Sequence, residues 1–334
     1  MRPSTHILAC LASTWLSAAA FPKGPLEKPA EWFRSPAGRD ATAAILSWQS
    51  PQGSWPKNED TSSKPYSGER RKLQGTFDNG ATTDEMRFLA RAFLATDDKR
   101  CKDAFLTGFD HILKAQYPNG GWPQYFPLSK QYHRHITFND NTMVRLLDLL
   151  REVATANGMK FVDPDRRRAA SAAFDRGIAC IVKCQIVARG TPTVWCAQHD
   201  EVTLAPAAAR SYELPSLSGS ESAGILRLLM SLEQPSPEVI RAVKAGVAWF
   251  EAAKLTGIKV VKVDGDRKVA KDPSAPPIWA RFYEIETNQP FFCGRDGVKK
   301  QTLSEIEAER RTGYAWYGSW GEAVAKDYAK WPHR

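Results

Sequence analysis

Features that assign a function at sight are missing from this 334-residue chain. Past residue 20 no apolar run is long enough to cross a bilayer, so a helical membrane protein is excluded. Cysteine is sparse and irregularly spaced (10, 101, 180, 184, 196 and 293), which is not a disulfide framework. Cys180 and Cys184 fall one helical turn apart, yet no further ligands stand at zinc-site spacing, so buried thiols or at most one or two bridges are expected. There is no GxxxxGK[ST] loop, HExxH helix, strand-linked GxGxxG or GxSxG elbow, which removes support for nucleotide and metalloprotease chemistry. The long blocks of consecutive Lys and Arg that mark basic arms are absent too. Clean two-residue alternation is scarce. Lys259–Asp264 and Ala280–Thr287 carry the best of it, enough for a small hairpin.

What is present begins with an export pattern. Arg2 is a short positive start, Ile7–Ala20 an apolar stretch, and Ala18-Ala19-Ala20 a small-residue cleavage site. Residues 1–20 read as a signal peptide and 21–334 as one catalytic domain, secreted or periplasmic. Loss of Arg2 lowers the formal charge from +9 to +8. A basic surface attracts polyanions. Export disfavours nucleic acid, so an acidic extracellular polymer leads, with charge for solubility alone as the alternative. No membrane partner is expected, and a monomer is.

The chain also repeats itself. Asp40–Gln49, Thr107–Gln116, Arg176–Gln185 and Ala245–Lys254 share a helical run ending in Gln or Lys, with ends spaced by 67, 69 and 69 residues. The first three lead into loops rich in Gly, Pro and Trp that contain Trp55, Trp122 and Trp195. A period near 68 exceeds one solenoid hairpin and suits two helices plus a decorated loop. After the loops, segments starting at Asp78, Asn139 and Ser218 open with small polar or acidic residues and continue at helical spacing. The expected fold is all-α, an α/α toroid (a barrel of helical hairpins) with long decorated loops and minor β-hairpin content. Thr256–Asp296 reads as a long excursion over the helix ends, and Leu303–Lys330 returns to helix.

The chemistry-bearing groups are Arg and Asp near aromatics. Asp78 and Asp140 stand at equivalent helix starts. Each suits an N-cap, and two carboxylates converging on one face suit Ca²⁺. Arg210, Arg281 and Arg295 lie in stretches that read as loops of the same face, and a guanidinium fork matches a uronate carboxylate. Trp55, Trp122, Trp195, Tyr125 and Phe126, with Trp279, Phe282, Tyr283, Phe291 and Phe292, can wedge loops to the core or stack on sugars. Their density near Gly-rich loops favours a carbohydrate cleft. His133 and His135, two apart, are expected at the surface or in packing, with a metal site as the alternative.

Taken together, Asp78-NGATT, Asn119-GGWPQYFP, His135-ITFNDNTM, Ala209-RSYELPSLSGSES and Ala280-RFYEIETNQPFFCGRDG resemble polysaccharide lyase family 10, the pectate lyases, from about Asp40 to Trp320. That resemblance implies an α/α toroid whose groove cleaves α-1,4-linked polygalacturonate by Ca²⁺-assisted β-elimination. It implies Arg295 as the base on the C5 proton and Arg281 at the scissile bond. It implies Arg210, Asn79 and Asp78 on substrate, and Asp140 with Asp78 on the metal. Removing a proton beside a carboxylate builds negative charge that Ca²⁺ and an arginine disperse. An arginine base, with a pKa above about 12, predicts a markedly alkaline optimum. Two alternatives stay open: a glycoside hydrolase using Glu213 and Glu221, and a non-catalytic binder of acidic polysaccharide.

Overall fold

The computed structural model describes residues 23–334, so the expected export signal and Cys10 lie outside the described residues. The repeat resolves into alternating helices: α1 (Pro36–Ser47), α2 (Thr83–Thr96), α3 (Lys99–Ala115), α4 (Thr142–Thr155), α5 (Pro164–Cys184), α6 (Gly219–Met230), α7 (Pro237–Ala252) and α8 (Trp320–Lys330). Odd-numbered helices pack in one row (α1–α3–α5–α7), while α2, α4, α6 and α8 form a second row against them. This is the α/α toroid expected from the 68-residue period.

Local chemistry starts each odd helix. Ser35, Asp98, Asp163 and Ser236 accept a bond from a first-turn N–H, and Pro36, Pro164 and Pro237 occupy the position where a missing N–H costs nothing. The terminal Gln of each repeat is a staple. Gln49 Nε2 donates to Gly53 O (3.0 Å) and Ala104 O (2.8 Å), Gln116 Nε2 to Gly120 O (3.1 Å) and Ala173 O (2.8 Å), and Gln185 Nε2 to Thr193 O (2.9 Å) and Ala242 O (2.9 Å). Each amide therefore closes its own loop and bonds the next odd helix. Lys254 ends the series, where no further odd helix follows, and pairs with Glu251 instead.

The loop tryptophans are wedges. Trp55, Trp122 and Trp195 are fully buried, and each indole N–H donates to a carbonyl of the preceding helix: Ile45 (2.8 Å), Ile112 (2.9 Å) and Ile181 (2.7 Å). Trp279 repeats the bond to Phe250 O at 2.8 Å. Gly120 needs its positive φ (+96°), and a Cβ there would stand 2.1 Å from the Arg176 carbonyl oxygen, so the loop can press onto α5 only with glycine.

Several expectations are corrected. Trp55, Trp122 and Trp195 of the repeat loops and Trp279, Phe282, Tyr283, Phe291 and Phe292 of the excursion are buried packing residues rather than sugar platforms, while Tyr125 and Phe126 are half-buried. Ile258–Val263 forms its hairpin with Asp266–Lys271 across Asp264-Gly265. Ala280–Thr287 does not share it: Trp279–Ala280 pairs with Tyr317–Gly318, and Phe282–Tyr283 pairs with Leu217–Ser218. The buried-thiol expectation holds: all five cysteines of the described residues are free and buried.

Candidate functional site

The starts of α2, α4 and α6 gather polar groups at one end of the toroid. Two short turns precede the first two helices, Asp78–Gly80 and Asn139–Asn141, and they lie against each other. The turns are structurally alike but chemically offset by one residue. Asp78 corresponds to Asn139 (both buried), while Asn79 (φ 55°) corresponds to Asp140 (φ 52°) in the left-handed region that Asn and Asp tolerate. The expected equivalence of Asp78 and Asp140 is thus corrected, and so is the N-cap reading. In α2 the Thr82 N–H donates to Glu85 Oε2 (2.8 Å), and neither aspartate caps its helix.

The offset gives the two carboxylates different surroundings. Asp78 Oδ2 pairs with Lys57 and accepts from Gln124 Nε2 at 2.6 Å, whereas Asp78 Oδ1 is buried with no partner. Burial pulls the Lys57 pKa down, but the charge and hydrogen bond of Asp78 outweigh it and hold the value above normal. Asp140 Oδ2 accepts from Asn139 Nδ2 at 2.7 Å. Burial, then Glu221, push the Asp140 pKa up, so the site favours a further positive charge there.

Arg281 is held by backbone on both sides. Its N–H donates to Trp316 O (2.7 Å) and its carbonyl accepts from Gly219 N–H (2.9 Å) at the start of α6. The buried guanidinium pairs with Glu221, donates to Asn139 Oδ1 (3.3 Å), lies 3.6 Å from Asp140 Oδ1 and leaves Nε without a partner. It stacks 4.6 Å from the centre of the Tyr314 ring. Arg210 stands over the same ring (5.7 Å) and over Tyr212 (4.9 Å), paired to Glu213, which also accepts from the Tyr314 hydroxyl at 2.7 Å. Tyr314 is therefore shared between both arginines.

The remaining expected residues sit further out. Asn79 is exposed, with its amide 3.5 Å from Asn58 Oδ1. Arg295 is exposed and pairs with Glu309 at 3.0 Å; Glu309 in turn holds Arg310, which lies 4.7 Å over Tyr212. The Arg295 loop reaches the wall of Arg210 through Cys293 Sγ, 3.7 Å from Ser211 O. The structure thus brings Asp78, Asp140, Arg281 and Arg210 together and places Arg295 and Asn79 at the rim. Asp296 pairs with Lys300 rather than with Arg295.

Lys57, Gln124, Asn139 and Tyr314 are site residues that sequence reasoning missed. Lys57 and Gln124 each lie two residues after a loop tryptophan, a repeat signal that was there to use. Tyr314 comes from a segment read only as returning helix. The hydrolase pair finds no free acid. Burial raises the Glu213 carboxyl, but Arg210 outweighs it and holds it low, and Glu221 is engaged by Arg281 and Ser218. His135 bonds Glu201 (2.9 Å), which also binds Arg134, and His133 stacks on Tyr132 (3.9 Å between ring centres). His135, Asp200 and Glu201 can bring ligand atoms within 4.8 Å of one another. Glu201 is already paired there.

An α/α toroid with paired arginines and carboxylates at its helix starts suits a protein that acts on an acidic polysaccharide. Residues 49–325 match the model of the pectic acid lyase family. A family 10 polysaccharide lyase from Cellvibrio cellulosa is 35% identical, superposes with a TM-score of 0.82, and covers 92% of this chain and 97% of its own. A single-residue mutant of a family 10 polysaccharide lyase from the same organism, in complex with trigalacturonic acid, is 34% identical at a TM-score of 0.82, covering 94% and 100%. Among curated proteins none matches. The chain belongs to polysaccharide lyase family 10, the pectic acid lyases.

Proposed function

We propose that this chain is a secreted, single-domain pectate lyase that cleaves α-1,4-linked polygalacturonate by calcium-assisted β-elimination, with an arginine as base. The observation that carries the reading is the meeting of buried Arg281 with Asp140, beside Asp78, at the converging helix starts. Among the described residues no helix is long and apolar enough to cross a membrane. The complex of a family 10 relative with trigalacturonic acid supports the substrate class.

The residues fit a hard cation. Asp78 Oδ1 is a buried oxygen without a partner, Asp140 is a carboxylate in need of positive charge, and the donors are oxygens. When bound, calcium would withdraw charge from the substrate carboxylate and acidify the adjacent C–H. Arg281 and Arg210 orient that carboxylate as guanidinium forks. Neither can act as base while it carries a buried or part-buried carboxylate partner, which supports the rim arginine, Arg295, in that role. Its pair with Glu309 is exposed and opens at small cost. The C5 proton passes to the neutral form of Arg295, the electron pair forms the C4–C5 double bond, and the C4–O bond breaks as the leaving oxygen takes a proton from water.

The test is purified protein on polygalacturonate with calcium, read by ultraviolet absorbance and by new reducing ends. Elimination raises both together. Reducing ends without absorbance would establish hydrolysis, and the absence of both signals would overturn both enzymatic readings.

A further inference from the structure

We propose that Lys57 keeps calcium affinity low in the free enzyme, so that the ion is held firmly only when a uronate carboxylate enters the site. This rests on the calcium reading above and concerns a residue to which that reading gives no role.

Charge balance governs how firmly the ion is held. Asp78, Asp140 and Glu221 are negative, and Lys57 and Arg281 are positive. Ion pairs link Lys57 to Asp78 and Arg281 to both Glu221 and Asp140. These five groups leave one net negative charge to face a doubly charged ion. Calcium affinity depends on the number of charged oxygen ligands and on the rigidity of the site. One substrate carboxylate brings the count to two and matches the ion. Removing the Lys57 charge does the same without substrate.

Lys57, not Arg281, is the adjustable partner. Arg281 is held at main chain on both sides, bonded to Asn139 and stacked on Tyr314. Lys57 has a fixed root and a loose head. Two residues before it, Trp55 is fully buried, its N–H donating to Thr82 Oγ1 (2.9 Å) and its carbonyl accepting from Thr76 N–H (2.9 Å). The Lys57 side chain is 26% exposed, and among the described residues its ammonium bonds Asp78 alone. A flexible four-carbon stem lets it turn from Asp78 to an incoming carboxylate. Gln124 keeps its bond to Asp78 Oδ2 meanwhile, and Oδ1 stays turned away from that bond, free for the ion.

The experiment is calorimetric titration of calcium into wild type, Lys57→Met and Lys57→Arg, each alone and with trigalacturonate. Thermal melting with and without calcium is read in parallel. Lys57→Met should bind calcium alone on the order of tenfold or more tighter than wild type. Its melting temperature should rise with calcium where that of wild type does not. Lys57→Arg, which keeps the charge, should stay near wild type, and trigalacturonate should tighten calcium binding most in wild type. Equal calcium affinity for Lys57→Met and wild type would overturn the proposal, as would matching behaviour of the Met and Arg variants. Absence of calcium binding in all three proteins, with and without trigalacturonate, would remove the calcium reading itself.

Discussion

At the scale of single residues, the site depends on how two arginines are kept apart yet aimed alike. Tyr314 lies beneath both guanidinium groups and bonds the carboxylate that neutralises one of them. Each stacking contact is worth roughly 1–2 kcal/mol when partly desolvated. Tyr314→Phe keeps the ring and loses one hydrogen bond, so kcat/KM should fall by no more than about tenfold. Tyr314→Ala should lower it on the order of a hundredfold, mainly through KM, with the fold retained by circular dichroism. Equal losses in the two variants would show that the ring does not position the arginines. Much of this site was legible in the sequence, since Asp78, Asp140, Arg210 and Arg281 stand in motifs that carry the family resemblance. The one-residue offset between the turns was not. Asn and Asp both accept positive φ, so DNG and NDN do not reveal which residue takes it. Nor could the sequence show that Arg295 lies on an exposed ion pair, because its partner Glu309 is 14 residues away in another segment.

At the scale of elements, the repeat was visible but half of its meaning was not. Spacing located the helices, and the Gly-Trp loops after them stood out. The sequence left each Trp open between core wedge and sugar platform, and nothing in it said that each Gln staples the next odd helix, because that pairing is long-range, as for Gln116 with Ala173. The start of α2 carries a prediction of its own. Glu85 is fully buried, and its carboxyl is pushed up to about 8, first by burial, while Thr61 and the Thr82 N–H bond its two oxygens. The folded protein thus keeps this proton to a higher pH than the unfolded chain does. The associated stability is complete below the ordinary carboxylate range and is lost as pH rises toward 8. Glu85→Gln, always neutral and able to make both bonds, should flatten the fall in melting temperature between about pH 5 and pH 8.5. A slope unchanged from wild type would assign that fall to other groups.

At the scale of the whole molecule, the toroid turns a repeat into a site: helices that alternate in direction bring the starts of α2, α4 and α6 to one end. Two starts supply the aspartates, and the third, with the strand beside it, holds Arg281 and Glu221. The fold class was readable because a 68-residue period with helical spacing admits few architectures. The excursion was harder to read, because its short strands pair with Leu217–Ser218 and Tyr317–Gly318, far away in sequence. The central claim is that this end of the toroid answers the negative charge of one uronate with a calcium ion and Arg281 together. The most direct test is the initial rate of unsaturated product from polygalacturonate and from fully methyl-esterified pectin, each with calcium and with chelator. Chelation and esterification should each lower the rate on the order of a hundredfold, and both together little further, since they remove the same charge interaction. Esterified pectin in chelator turned over as fast as polygalacturonate in calcium would contradict the claim.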